Sequence, residues 1–120
     1  MSYTKFIYNN LKFSADKIKT GESVEVMVDV TNSGKMKGDE IVQLYISDKV
    51  ASVTRPIVEL KGFERITLES GQTKTVIFIV DKTKLAFWDY DMKYTVEPGE
   101  FDILVGKSSI DLIKKTLVVE

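Results

Sequence analysis

Between residues 24 and 30 the chain alternates without a break. Val24, Val26, Val28 and Val30 are separated by Glu25, Met27 and Asp29. A period of two puts the four valines on one face of an extended strand and their neighbours on the other. A polar stretch, Thr31-Asn32-Ser33-Gly34-Lys35-Met36-Lys37-Gly38, follows, and Ile41-Val42-Gln43-Leu44-Tyr45-Ile46-Ser47-Asp48 runs back. The pattern predicts two long antiparallel strands, over about 22–32 and 39–48, joined by a Gly-bounded loop. The valine face requires a second layer to cover it.

The same grammar extends to both ends. Residues 3–8 are aromatic and β-branched and suit a first strand. Asn9-Asn10 is expected to break it, leaving Leu11–Ser14 as a short edge strand, and the polar run Asp16–Glu22, with Thr20-Gly21, reads as a turn. Lys49–Thr54 reads as a loop, and Pro56, which cannot donate to a ladder, belongs at a strand start or edge. Residues 57–68 form a strand whose phase changes. Val58 and Leu60 share one parity, Phe63 has the other, and Ile66 and Leu68 return to the first. With Gly62 at the change, a β-bulge is expected there. Glu69-Ser70-Gly71-Gln72 is a hairpin turn, and Thr73–Asp81 is a strand with Val76, Phe78 and Val80 inward.

Asp81 or Thr83 can cap a single helical turn, after which Leu85–Trp88 crosses the end of the fold. Lys93–Glu97 reads as a strand. Pro98-Gly99 has the residues of a type II turn. Phe101, Ile103 and Val105 form the next inward row, residues 106–109 a turn, and residues 110–119 the last strand. Seven to nine strands with turn signals about every ten residues, and no long helical pattern, predict an all-β fold. It is an antiparallel β-sandwich of immunoglobulin-like or fibronectin III-like layout.

Composition narrows the function classes. At 120 residues the chain fits one domain, 1–120, with one real core. Seventeen basic residues scattered among 18 acidic ones give a net charge of −1, which is not the basic face of a nucleic-acid binder. No apolar run approaches the roughly 18–20 residues of a membrane-spanning helix, and the first ten residues lack the basic and apolar regions of a signal peptide. The compartment stays open. There is no Cys and no His, so disulfides, thiolate chemistry and Ser-His-Asp arrangements are excluded.

Carboxylates remain. Asp89 and Asp91, flanking Tyr90, are spaced like turn residues in water rather than like a catalytic pair in a cleft. With Glu97 they also lack the loop that closes a calcium site. No catalytic, cofactor-binding or metal-binding residue is therefore assigned. Two features do invite a binding role. Trp88, Tyr90 and Tyr94 lie close together and could stack sugar rings, although Trp is usually heavily buried and could simply plug the open end of the sandwich. The strand 41–46 is apolar on both faces: Val42, Leu44 and Ile46 face one side, Ile41 and Tyr45 the other, with Met27 as a candidate neighbour. Either that second face is an interface, or Phe6 and Leu11 cover it.

The order of these motifs resembles a known family. The residues concerned are Val30-Thr31-Asn32-Ser33-Gly34, Gly38–Ile46 with its Val42-Gln43-Leu44-Tyr45, and Arg55-Pro56. Glu59-Leu60-Lys61-Gly62-Phe63-Glu64-Arg65-Ile66, Leu68–Gly71, Leu85–Asp89, Glu97–Phe101 and Val105–Ser109 continue the likeness. Together they look like the C-terminal fibronectin III-like domain of glycoside hydrolase family 3 enzymes, the β-glucosidases and β-xylosidases. Ser2–Phe6 looks like the segment leading into that domain, so residues 1–10 are expected to be a lead-in strand from a preceding domain.

The resemblance implies a non-catalytic accessory module whose partners are the catalytic domains of a parent hydrolase. Those domains hold the family's catalytic residues, and none carries over to a position here. Ile41, Tyr45, Arg55 and Pro56, the last two at the end of the loop 49–55, are the expected docking residues. In the alternative, a carbohydrate-binding module, a polysaccharide is the partner and Trp88, Tyr90 and Tyr94 stack on it. No cofactor, nucleic acid or membrane partner is expected.

Overall fold

The computed structural model describes residues 5–48, 58–88, 94–95, 98–108 and 110–120. Strands β1 (Phe6–Phe13), β3 (Val24–Asn32) and β6 (Thr73–Val80) form a three-stranded sheet in the order β1-β3-β6. Strands β2 (Lys17–Ile18), β4 (Gly38–Asp48), β5 (Val58–Leu68), β9 (Gly99–Ser108) and β10 (Asp111–Val119) form a five-stranded sheet in the order β2-β10-β9-β4-β5. These eight strands are the β-sandwich that the alternation predicts. A helical turn, α1 (Lys82–Leu85), and a two-stranded ribbon, β7 (Phe87–Trp88) with β8 (Tyr94–Thr95), lie outside the two sheets.

The core is the sum of the inward rows. Val24, Val26, Val28 and Val30 of β3 and Val76, Phe78 and Val80 of β6 meet Val42, Leu44 and Ile46 of β4 and Phe101, Ile103 and Val105 of β9, all buried. The outward row of β3 is mostly polar, with Met27 half-buried, and that of β6 carries Ile77 and Ile79, each 49% exposed, beside Thr73 and Thr75. Period-two alternation therefore puts one apolar face of each sheet against the other and removes both from water, the dominant favourable term in folding.

The turn chemistry follows the sequence. Gly71 in the 69–72 turn has φ +81°, a conformation costly for any side chain. The Glu69 and Gln72 backbones and the Gln72 side chain close that turn with hydrogen bonds. Asp81 is the cap of α1, its carboxylate accepting from the Thr83 and Lys84 N–H groups. That satisfies donors a helix start leaves unpaired.

Three expectations change. Asn9-Asn10 does not break the first strand. Asn10 takes φ +56° and the β1–β3 register shifts between Asn9 and Lys12, so the pair makes an irregularity inside one continuous strand. The Asn10 side chain donates to Asp29 across it. The polar run 16–22 includes the short strand β2, which pairs in parallel with Val118 and Val119. Residues 106–108 are strand rather than turn. Gly106 pairs with Gln43 and Leu112, and Lys107 is the extra residue in a shifted β9–β10 register.

Candidate docking face

The outward side of the five-stranded sheet is built by register. Across β4 and β5, Ile41 stands opposite Arg65, Gln43 opposite Phe63, Tyr45 opposite Leu60, and Ser47 opposite Val58. Leu44 pairs with Gly62 and Tyr45 with Leu60, so Lys61 is the extra residue of a bulge. The phase change at Gly62 is thus a real bulge. Its consequence is that Val58, Leu60 and Phe63 share the outward face instead of dividing between the two.

These residues leave apolar surface in water. Phe63 is 70% exposed, Val58 52%, Leu60 51% and Ile41 48%. Tyr45, half-buried between them, is fixed in place: its hydroxyl donates to Gln43 Oε1 at 2.6 Å, and Gln43 Nε2 donates to the Lys107 carbonyl at 3.1 Å. On the other side of Tyr45 lies Leu104 of β9. The result is a row of aromatic and aliphatic groups along the β4–β5 side of the sheet, and β5 is the sheet's edge. A contiguous exposed apolar patch on a strand face is the surface signature of an interaction site.

One border of the face is polar. Arg65 Nη2 donates to Asp39 Oδ2 at 2.7 Å and Thr67 Oγ1 to Asp39 Oδ1 at 2.7 Å. The hydrogen bond from Arg65, and then that from Thr67, hold the Asp39 carboxyl below the usual carboxylate range, and the same pairing pushes the Arg65 guanidinium up. Both groups are ionised across the physiological range, so the border carries one paired positive and one paired negative charge.

Of the residues named from the sequence, Ile41 and Tyr45 stand on this face. Arg55, Pro56, the loop 49–55 and Tyr90 lie outside the described residues, as do Asp89, Asp91 and Glu97. Trp88 and Tyr94 are direct register partners in the β7–β8 ribbon. The supposed neighbour and the supposed cover are both elsewhere. Met27 belongs to β3, in the opposite sheet, where it pairs with Ile77. Phe6 and Leu11 sit on β1 of that same sheet and pack against the core. Neither reaches the outward side of β4, because β1 joins β3 rather than the β4 sheet. Alternation alone could not supply Val58, Leu60 and Phe63 as companions of Ile41 and Tyr45; the phase change at Gly62 was the one available signal.

A two-sheet β-sandwich with an apolar side face is the class that this geometry defines. Comparison with known proteins makes it more specific. The family model described as Fibronectin type III-like domain matches residues 40–109, and the chain belongs to this family. It is 45% identical over 98% of its length to thermostable β-glucosidase B of Acetivibrio thermocellus, and 48% identical over 91% to a β-xylosidase of Formosa agariphila. The structure superposes on a β-glucosidase from Erythrobacter marinus with a TM-score of 0.91 and 36% identity over the whole chain. In each case the chain spans only a small part of the relative, 16%, 15% and 16% respectively. It is the counterpart of the C-terminal domain of family 3 glycoside hydrolases.

Proposed function

We propose that this domain is a non-catalytic accessory module that packs on the catalytic domains of a β-glucosidase-like hydrolase and stabilises them. The observation that carries the reading is the row of exposed Ile41, Val58, Leu60 and Phe63 around half-buried Tyr45 on one sheet face. Its occupant is the remainder of the same polypeptide, because the relatives that match this chain devote only about a seventh of their length to it. Burying the row against another domain removes apolar surface from water at about 25 cal/mol per Å². Arg55 and Pro56, which precede β5 in the sequence, are proposed to belong to the same contact.

The test is clean excision of the domain from a full-length enzyme that carries it. The expected result is a lower melting temperature and lower soluble yield. A double substitution, Leu60→Ser with Phe63→Ser, should reproduce part of the loss in the intact enzyme. Unchanged stability and activity after excision defeat the reading.

A second reading rests on a different observation: Trp88 and Tyr94 occupy opposite register positions of the β7–β8 ribbon. It makes the domain a polysaccharide-targeting module, with Trp88, Tyr90 and Tyr94 as the proposed ligand-binding residues. An amide NMR titration with cello-oligosaccharides tests it. Saturable shifts at Trp88 and Tyr94 support it, and a flat titration of the folded domain ends it.

A further inference from the structure

The docking face depends on a single inserted residue, and that residue is not on the face. Strict alternation from Phe63 would turn Leu60 and Val58 to the opposite side, toward the core. The bulge at Lys61 reverses their phase and sets them beside Phe63, opposite Tyr45 and Ser47. Lys61 itself is turned away from water, its side chain only 8% exposed. Its ammonium donates to the Ala86 carbonyl at 3.0 Å and pairs with the Glu59 carboxylate at 2.8 Å. Ala86 closes α1 and leads into β7. Lys61 therefore spans from the bulge to the connector that follows β6.

Beside it, a Cβ built on Gly62 would meet Phe78, Leu44 and Lys84 at ordinary van der Waals distance, so this side of the strand faces the body of the sandwich. A long side chain ending in several donors is what this position requires. It must reach another element's carbonyl and still satisfy an adjacent carboxylate, and a nearly buried ammonium needs both partners.

We infer that Lys61 is the positioning residue of the docking face. It fixes the bulge that gathers Val58, Leu60 and Phe63 with Ile41 and Tyr45, and it ties that face to the α1–β7 connector. The role of the face rests on the docking reading above. The positioning of the bulge does not, and it can be read in the isolated domain.

The experiment is ¹⁵N NMR of the domain with Lys61→Met, Lys61→Arg and Glu59→Gln. In Lys61→Met, amide exchange at 59–62 and 86–88 should accelerate roughly tenfold or more. Cross-strand contacts between Tyr45 and Leu60 should weaken, while core amides of β4 and β9 stay protected. Lys61→Arg should restore the pattern, which general destabilisation would not do. If Lys61→Met fails to fold, Glu59→Gln should show the same local change in milder form. Unaltered exchange and contacts in the folded variants overturn the inference. The docking reading fails separately, if Phe63→Ser leaves the stability of the full-length enzyme unchanged.

Discussion

The side-chain amide of Asn32 donates to the carbonyl of Leu68 at 3.0 Å, from a position with no exposure to solvent. The same amide donates to the Met36 carbonyl at 2.9 Å, and its oxygen accepts from the Gly34 N–H at 2.9 Å. The Asn32 backbone is bonded to Gly71 and Gln72. One residue thus ties the end of β3 to the 33–37 loop, to the end of β5 and to the turn before β6. Asn suits the position because it supplies two donors and an acceptor on a short stem.

Replacing Asn32 with Leu is expected to destabilise the domain by roughly 2–4 kcal/mol, since several buried backbone groups lose their partner together. Urea unfolding gives the number. A loss within experimental error would mean the loop is held by other contacts.

Two phenylalanines should behave oppositely. Phe101 is fully buried between the sheets, and Phe101→Ala should cost about 3–5 kcal/mol through lost burial and the cavity left behind. Phe63 is largely exposed, and Phe63→Ser should move the stability of the isolated domain by no more than about 0.5 kcal/mol. Thermal unfolding of both variants checks the contrast. A large loss for Phe63→Ser would place its ring in the domain's own packing.

Gly106 is required by close approach. A Cβ built there overlaps the Asp111 carbonyl oxygen and crowds the Leu112 backbone across the β9–β10 pair. Because the obstacle is backbone, Gly106→Ala must push the two strands apart at Lys107. The expected loss is about 1–3 kcal/mol or more. Gly21→Ala meets no such obstacle, and pays only for its positive φ, +94°. A larger loss at Gly21 than at Gly106 in matched denaturation curves contradicts this account.

Acid should weaken the fold. Asp29 is lowered by hydrogen bonds from Asn10 and Thr75, Asp39 by Arg65 and Thr67, and Asp81 chiefly by the Thr83 side chain. Carboxyls depressed in the folded state contribute stability that is fully present above the unfolded value of about 4 and lost as pH falls through the folded values. The urea midpoint should therefore drop between about pH 5 and 2, and Asp39→Asn should flatten that drop.

At the other extreme, Tyr8 is raised by burial first and then by the nearby Glu40 carboxylate. The folded state holds the neutral hydroxyl, so its contribution is present below about pH 10 and lost as pH rises beyond it. Tyr8→Phe should be less sensitive to alkali than the parent; an identical alkaline midpoint would remove Tyr8 from the account.

The sequence by itself determined which residues could be inside. Period-two rows at Val24–Val30, Val42–Ile46, Val76–Val80 and Phe101–Val105 fix a strand and its buried face from local sterics and hydrophobicity alone. Ile41 and Tyr45 were legible as surplus apolar groups for the same reason, and the phase slip at Gly62 gave away the bulge. What only the tertiary structure decided is which strands are neighbours. Pairing is non-local, so no local pattern could place Met27 and Leu11 in the sheet opposite Tyr45, or Leu60 directly beside it. Nor could it show that Asn32 reaches Leu68, 36 positions away, or that Lys61 reaches Ala86, 25 positions away. Each of those contacts exists because two strands meet in one register, and register is set by the whole sandwich closing on a shared core.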